Sequence, residues 1–389
     1  MTRPKVAFIC AKTPYPTRGG LDLRVTSISR ALSGFSNVTL ICLNGNPDFA
    51  PDYCEDVIVG DSNTTYEKHE IIKWQKNYPQ DPLGLFATEE STKFLKNALQ
   101  KVKPQHIFVS RVANWRIFEE ILGLFDAKKH LDLDETSSRL ESSYDSLTSI
   151  SVDLKFVQTH HRNIKEYEKK LLPELDSILV SSSIEQEEVE RNYGVKPGTC
   201  VVIENTLSIY PRQLAWSHLD RSGVLFPGNF SYPPNRVAMR EIVLEIAPQL
   251  PNLEFIFAGS NLDNPKYPLP KNVRLLKNPD SMEELFRQAL LLIAPLRFGA
   301  GTRYKIIEAM FHELPIMATE FAVEGLGLIP CTHYLNAESP LEFVQQLKSL
   351  IENPAQGKKL ADAAYNFANS HYSTSAIEAK LRQIVLSGD

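Results

Sequence analysis

The stretch that decides the fold is LLIAPLRFGAGTRYKIIEAMFHELPIMATEFAVEGL, residues 291–326. An apolar run leads into a loop with Gly299 and Gly301. A helical pattern carrying Arg303, Lys305 and Glu308 follows, then a second short apolar run at 315–319. This reads as one strand–loop–helix–strand unit. Two residues without Cβ let the backbone turn tightly and let a ligand come close. Thr302 is placed to cap a helix that begins at Arg303. The free N–H groups of that first turn, at the positive end of the helix dipole, suit a phosphate. Arg303 and Lys305 add full charges. Lys305 and Glu308 are three apart and share a helix face. Glu308 lies ~9 Å along the axis from the cap, close to the separation of diphosphate and ribose within one nucleotide. A carboxylate there accepts two hydrogen bonds from a vicinal diol. Ile306, Ile307, Met310 and Leu314 are left to face a core. On spacing alone, an ordinary glycine loop and a solvated Glu308 fit the same residues.

Working outward, GAGTRYKIIEAMFHELPIMATEFAVEGL (residues 299–326) resembles the C-terminal signature of the family 4 glycosyltransferases, retaining enzymes of the GT-B fold. The resemblance implies a ribose contact for Glu308 and diphosphate contacts for Arg303 and Lys305. Many members place a second Glu, which touches the donor sugar, eight residues before the ribose Glu. Here that position is Ala300, which leaves the donor sugar open. LFPGNFSYPPN (225–235) is similar to the first strand and loop of the family's second domain. Residues 179–206 resemble the end of its first domain, with Glu204 and Thr206 departing from the usual Pro-Asn-Gly turn. Residues 61–103 match no motif.

Length and composition fit that plan. The 389 residues suggest about two domains. A hydrophobic fraction of 43% is ample for packed cores, and a net charge of −5 argues against a nucleic-acid binder that works by bulk charge. No run is long and apolar enough to span a membrane. The N-terminus reads as a first strand, not a signal peptide. The five cysteines are scattered without metal-ligand spacing, and Cys10, Cys42 and Cys200 fall in strand-like runs. They read as buried free thiols of a cytoplasmic protein.

Strand and helix patterns alternate along the chain, which favours mostly parallel sheets covered on both faces. Strands are expected at 5–11, 38–43, 56–60, 106–111, 130–134, 177–182 and 200–205. A second series falls at 224–227, 253–258, 272–276, 291–294, 316–319 and 334–335. Helices are expected at 21–33, 89–101, 115–125, 184–193, 237–247 and 281–288, and from 340, 354 and 374 onward. The fold class is α/β: two Rossmann-like domains whose parallel sheets face a cleft. The expected division is 1–205 for the acceptor domain, 206–221 for a linker and 222–370 for the nucleotide-sugar domain. A C-terminal helix within 371–389 returns to the first domain, as the resemblance implies.

Four further places carry candidate chemistry. The loop TPYPTRGG (13–20) follows the first strand, and Gly19 and Gly20 allow backbone approach to a donor phosphate or acceptor. Arg18 and Arg24 either add charge there or lie on the surface. Gly228 and Asn229 end the first strand of the second half, where relatives carry an Arg and a Lys. Their absence shifts the diphosphate duty to Arg303 and Lys305. Glu324 follows the strand at 316–319 and is a candidate sugar contact. Asp132-Leu-Asp134 puts two carboxylates on one strand face. It reads as a metal-diphosphate site, as an acceptor or sugar contact through Asp134, or as a helix cap. His160-His161 sits in a basic helical run with Arg162, Lys165, Lys169 and Lys170, diluted by Glu166 and Glu168. It reads as a solvated face, with docking to the inner face of an anionic membrane left open.

The residues together point to transfer of a sugar from a nucleotide-diphosphate donor to a hydroxyl acceptor: a saccharide, a lipid-linked saccharide or another glycoconjugate. Arg303, Lys305 and Asp134 carry the chemistry. Gly20, Gly228, Asn229, Gly301, Thr302, Glu308 and Glu324 join Arg303 and Lys305 on the donor. No metal or other cofactor is required. A nucleotide-sugar epimerase and a non-catalytic subunit on the same fold remain the alternatives.

Overall fold

The computed structural model describes residues 2–15, 20–62, 66–139, 154–207, 221–299 and 303–386, the side chains of 68 and 154–157 aside. The chain divides into two compact units. Residues 1–206 and 374–389 form the first; residues 207–373 form the second.

The first unit carries β1 (Lys5–Lys12), α1 (Gly20–Ser33), β2 (Asn37–Asn44), β3 (Asp56–Val59), α2 (Lys68–Asn77), α3 (Glu89–Val102) and β4 (His106–Ser110). It continues through α4 (Val112–Glu119), β5 (Lys128–Asp134), α5 (Leu154–Leu171), β6 (Ser177–Val180), α6 (Ser183–Asn192) and β7 (Cys200–Val202). The strands form a parallel sheet in the order β3-β2-β1-β4-β5-β6-β7. Strand alternation divides the core between its faces. Ala7 and Ile9 of β1 join Ile41 and Leu43 of β2 in one cluster. Val6, Phe8 and Cys10 join Val38, Leu40 and Cys42 in the other. That second cluster also takes Val25, Ile28 and Leu32 of α1.

The second unit carries β8 (Val224–Pro227), α7 (Pro233–Glu241), β9 (Phe255–Gly259), β10 (Val273–Lys277), α8 (Met282–Gln288) and β11 (Leu291–Ala294). Then come α9 (Tyr304–Phe311), β12 (Ile316–Ala318), α10 (Glu320–Val323), β13 (Leu335–Asn336), α11 (Pro340–Glu352) and α12 (Pro354–His371). Its sheet is also parallel, ordered β10-β9-β8-β11-β12-β13. The last helix, α13 (Thr374–Leu386), packs Ile377, Leu381 and Val385 into the core of the first unit. Lys380 pins it there through Glu204 at 2.6 Å.

In both sheets the chain starts in the middle, runs to one edge, then returns to the other side of its first strand. The order therefore reverses between β1 and β4, and again between β8 and β11. A crevice at the carboxyl ends of two such strands is where open α/β sheets bind ligands.

Several elements differ from the sequence reading. The helix expected at 115–125 starts at Val112 and ends at Glu119, giving way to a 3₁₀ turn over Leu122–Leu124. The helix expected at 237–247 begins at Pro233 and loosens into a π-helical turn over Ile242–Ile246. The two prolines fit its first turn because those N–H groups have no helical partner. Helix α2 arises in the motif-free region, with Glu67 and Glu70 forming a capping box. The run around His160 is a helix but not a purely solvated face. His160 Nδ1 meets Gln75 Nε2 at 2.8 Å, and Glu168 is buried against Tyr193 Oη at 2.9 Å. Cys10, Cys42 and Cys200 are buried and free; Cys331 is exposed. No helix among the described residues is long and apolar enough to cross a membrane.

Candidate donor-binding site

The second unit's reversal point lies between β8 and β11, and the helices that follow these strands meet there. β11 is buried throughout and turns at Gly299, whose φ of 124° belongs to the left-handed half of the map. A Cβ at Gly299 would stand 2.6 Å from the Tyr232 hydroxyl. Residues 300–302, and with them Ala300, Gly301 and Thr302, lie outside the described residues, as do Arg18 and Gly19. Helix α9 starts one residue later than expected: Arg303 is its N-cap and Tyr304 its first helical residue. Arg303 C=O accepts from Ile306 N–H at 2.9 Å, so the cap is backbone-made. At the far end, Arg221 donates to the carbonyls of His312 and Glu313 and satisfies the last turn.

Helix α9 buries Ile306, Ile307, Ala309 and Met310 completely, which leaves Lys305 and Glu308 together on its half-buried face. Lys305 Nζ donates to Asn235 Oδ1 at 2.8 Å and stands 4.0 Å from the centre of the Phe226 ring. Asn235 belongs to α7 and Phe226 to β8, so this lysine bridges the reversal point. Asn235 can sit so close only because Gly228 lacks a side chain. A Cβ there would meet Asn235 Nδ2 at 2.7 Å. Asn235 in turn donates to Asn229 C=O at 2.8 Å. Gly228 thus acts on the site through Asn235.

No carboxylate pairs with Lys305, and Glu308 makes no side-chain hydrogen bond or ion pair among the described residues. Burial pulls the lysine down from its usual 10.5 to about 7; the Arg303 charge adds to this and Glu308 opposes it. Burial pushes Glu308 up from 4.5 to about 7, against Lys305. A cation and an anion held one turn apart without direct neutralisation are suited to a ligand carrying the opposite partners.

The remaining residues fall along the same carboxyl edge. The Arg303 guanidinium lies 4.5 Å from the centre of the Phe321 ring in α10. Thr319, at the end of β12, caps α10 by accepting from Ala322 N–H at 3.1 Å and donates its own hydroxyl to Leu296 C=O. Glu324 ends α10, half-buried beside Gly325. Asn229 is exposed, but its side-chain oxygen is occupied by Ser231 and Asn261. Arg297, in the same loop as Gly299, is neutralised by Glu241 at 2.7 Å.

Asp134 and Gly20 belong to the first unit. Gly20 opens α1. Asp134 ends β5 and is bound by Arg111 Nη2 at 3.0 Å. Asp132 is fully buried and takes Arg24 at 2.6 Å. Arg24 is not a surface residue either: it also donates to Ile203 C=O and Asn205 Oδ1. That pair assigns Asp132 an internal partner, and no group of three potential metal ligands occurs among the described residues.

Asn235 and Phe226 were missed from sequence. Both lie inside the quoted segment 225–235, but nothing local says that they meet Lys305.

Comparison with known proteins bears on the fold and the family. Residues 221–353 match the family model described as "Glycosyl transferases group 1". An uncharacterized 44.6 kDa protein in the cps region of Klebsiella pneumoniae is 21% identical over 173 residues. That match spans 41% of this chain and 45%, less than half, of the relative. The sucrose-phosphate synthase of Thermosynechococcus elongatus superposes with a TM-score of 0.72 at 16% identity, covering 99% of each chain. HepE of Anabaena, solved in complex with UDP and glucose, superposes with a TM-score of 0.64 at 13% identity, covering 99% of this chain and 100% of that one. The resemblance to GT-B glycosyltransferases is borne out, by the family model over the second unit and by the fold over both.

Proposed function

We propose that the protein is a retaining glycosyltransferase that moves a sugar from a nucleotide-diphosphate donor to a hydroxyl acceptor in glycoconjugate biosynthesis. The observation that carries this reading is the unneutralised Lys305–Glu308 pair at the reversal point of the second sheet. The family match over the same residues supports it. The bound UDP and glucose in HepE favour a UDP-sugar, and the cps-region relative favours a polysaccharide or related product.

In this reading Glu308 accepts from the two ribose hydroxyls. Lys305 and Arg303 stabilise the diphosphate as charge builds on it, which lowers the barrier because they are in place before reaction. Gly228, Asn229, Gly301 and Thr302 line the approach of the donor, and Glu324 meets the sugar. The first unit carries the acceptor, with Asp134 accepting from a sugar hydroxyl. The bond between the anomeric carbon and the diphosphate oxygen breaks. The acceptor oxygen bonds to the same face, and its proton passes to the departing diphosphate. Phe226, buried beneath Lys305, gives the site an apolar wall.

A ligand that binds the folded state raises its melting temperature. UDP-, GDP-, dTDP- and ADP-sugars are screened on wild type, Glu308→Ala and Glu308→Gln, with and without EDTA. Stabilisation by one nucleotide family, lost in both variants, supports the site and names the base. Folded wild type that no donor stabilises would sink the reading. A shift abolished by EDTA would require a divalent cation on the diphosphate.

A further inference from the structure

The first sheet reverses between β1 and β4, and β4 ends in an unusual way. Ser110 is its last residue and Val112 is the first of α4. Arg111 alone makes the turn, at φ 69° and ψ 150°. That region of the map is open to glycine and strained for every residue with a Cβ. The conformation is held from both sides. Arg111 N–H donates to Asp132 C=O at 2.8 Å, continuing the sheet, and Arg111 C=O accepts from Trp115 N–H at 3.1 Å, starting the helix. The same junction with glycine would make the same backbone bonds without strain. The side chain is therefore what this position retains.

That side chain is turned onto Asp134. Nη2 lies 3.0 Å from Asp134 Oδ2 and 3.4 Å from Glu135 Oε1. Asp134 also has a positive φ, of 65°, where the pairing of β5 with β6 shifts register. Two residues in disfavoured backbone conformations thus face each other at the ends of adjacent strands. The Arg111 side chain is 41% exposed, while its Nε is buried without a hydrogen-bond partner among the described residues. A buried unsatisfied donor in a strained residue is a poor arrangement for stability alone. Asp134 Oδ1 stays outside the Arg111 bond and is 3.9 Å from Arg24 Nε, too long for a hydrogen bond.

We infer that Arg111 is a positioning residue: it fixes Asp134 so that its second oxygen accepts from a hydroxyl of a neutral saccharide acceptor. This rests on the glycosyltransferase reading above. Neutrality follows from the local charge. Arg24 and Arg111 are already bound by Asp132, Asp134 and Glu135, so an added carboxylate or phosphate meets the charge of Asp134 with both arginines occupied.

The experiment uses the full chain as wild type, Arg111→Gly and Arg111→Lys, with the nucleotide-sugar found in the donor screen. Melting, nucleotide affinity by calorimetry, donor hydrolysis and transfer to p-nitrophenyl hexosides and to p-nitrophenyl glucuronide are measured. Arg111→Gly should melt at or above wild type and bind nucleotide unchanged. Its kcat/KM for the hexosides should fall roughly 10- to 100-fold, the value of one charge-assisted hydrogen bond, with Arg111→Lys between the two. A purely structural arginine would show the opposite: lower melting, with transfer falling only as the folded fraction falls. Unchanged transfer in Arg111→Gly, or a wild-type preference for the glucuronide, overturns this inference alone. Wild type that neither transfers nor hydrolyses any donor overturns the glycosyltransferase reading, and this inference with it.

Discussion

The two sheets share one strand order, yet their carboxyl edges treat charge in opposite ways. In the first unit the charges neutralise one another. Arg24 is shared by Asp132, Ile203 C=O and Asn205, and Arg111 by Asp134 and Glu135. In the second unit Lys305 rests on an amide oxygen and an aromatic face, and Glu308 has no side-chain partner among the described residues. Topology explains where both groups lie but not this difference. An edge whose charges are internally matched gains rigidity and holds a weakly charged ligand through spare lone pairs. An edge left unmatched costs stability and gains affinity for a ligand that supplies the missing charges. The contrast suits the acceptor station proposed for the first unit and the diphosphate station proposed for the second.

The largest effect that tests this contrast is on stability. Asp132→Ala would remove the nearest carboxylate from Arg24, which is 1% exposed. Burial pushes the Asp132 carboxyl up, and Arg24 at 2.6 Å opposes that rise. Breaking such a pair costs about 3–5 kcal/mol, because the remaining charge stays desolvated. Thermal or urea unfolding should show that loss with nucleotide binding intact in the folded fraction. A variant as stable as wild type would mean the first edge is not internally matched.

A smaller effect is expected on donor affinity against pH. A diphosphate needs Lys305 protonated, and free Lys305 titrates at about 7, so affinity falls as pH rises above 7. A ribose diol needs Glu308 ionised, and free Glu308 also titrates at about 7, so affinity falls as pH drops below 7. Calorimetry with the intact nucleotide-sugar should give a maximum near pH 7 with limbs approaching about tenfold per pH unit. Lys305→Arg should flatten the alkaline limb, because guanidinium keeps its charge. A flat profile in wild type would show that neither group meets the ligand.

How much of this was legible in the sequence follows from which contacts are local. The strands announced themselves as apolar runs; in β1, Val6 to Ile9 are all fully buried because the sheet is covered on both faces. The signature helix was legible because Lys305 and Glu308 are set by helical spacing within one turn. The Arg24–Asp132 pair was not, since the two lie 108 residues apart: Arg24 reads as a loop or surface charge and Asp132 as half of an Asp-x-Asp pair. Asn235 and Lys305, 70 residues apart, meet only through the strand order and the missing Cβ of Gly228. The one-residue junction at Arg111 was also hidden: a strained φ at a non-glycine residue is imposed by the sheet and helix on either side, not by the residue type.

The smallest expected effect is the one that most directly separates the two edges. Lys305 is charged below pH 7 in both folded and unfolded chains, so its desolvation weighs fully against folding there. Between about 7 and its usual 10.5 the unfolded chain binds more protons, so stability rises with pH and the penalty disappears. Lys305→Met keeps an unbranched apolar side chain against Phe226 and removes the charge. It leaves the oxygen of Asn235, a buried residue, without its donor, which offsets part of the gain. The net stabilisation at pH 6.5 should be no more than about 1 kcal/mol, narrowing or reversing by pH 9, with donor affinity reduced. Melting curves of the variant and wild type at both pH values measure it. A Lys305→Met protein several degrees less stable at pH 6.5 would mean that Lys305 is matched within the fold, as Arg24 is, and the difference between the two edges would disappear.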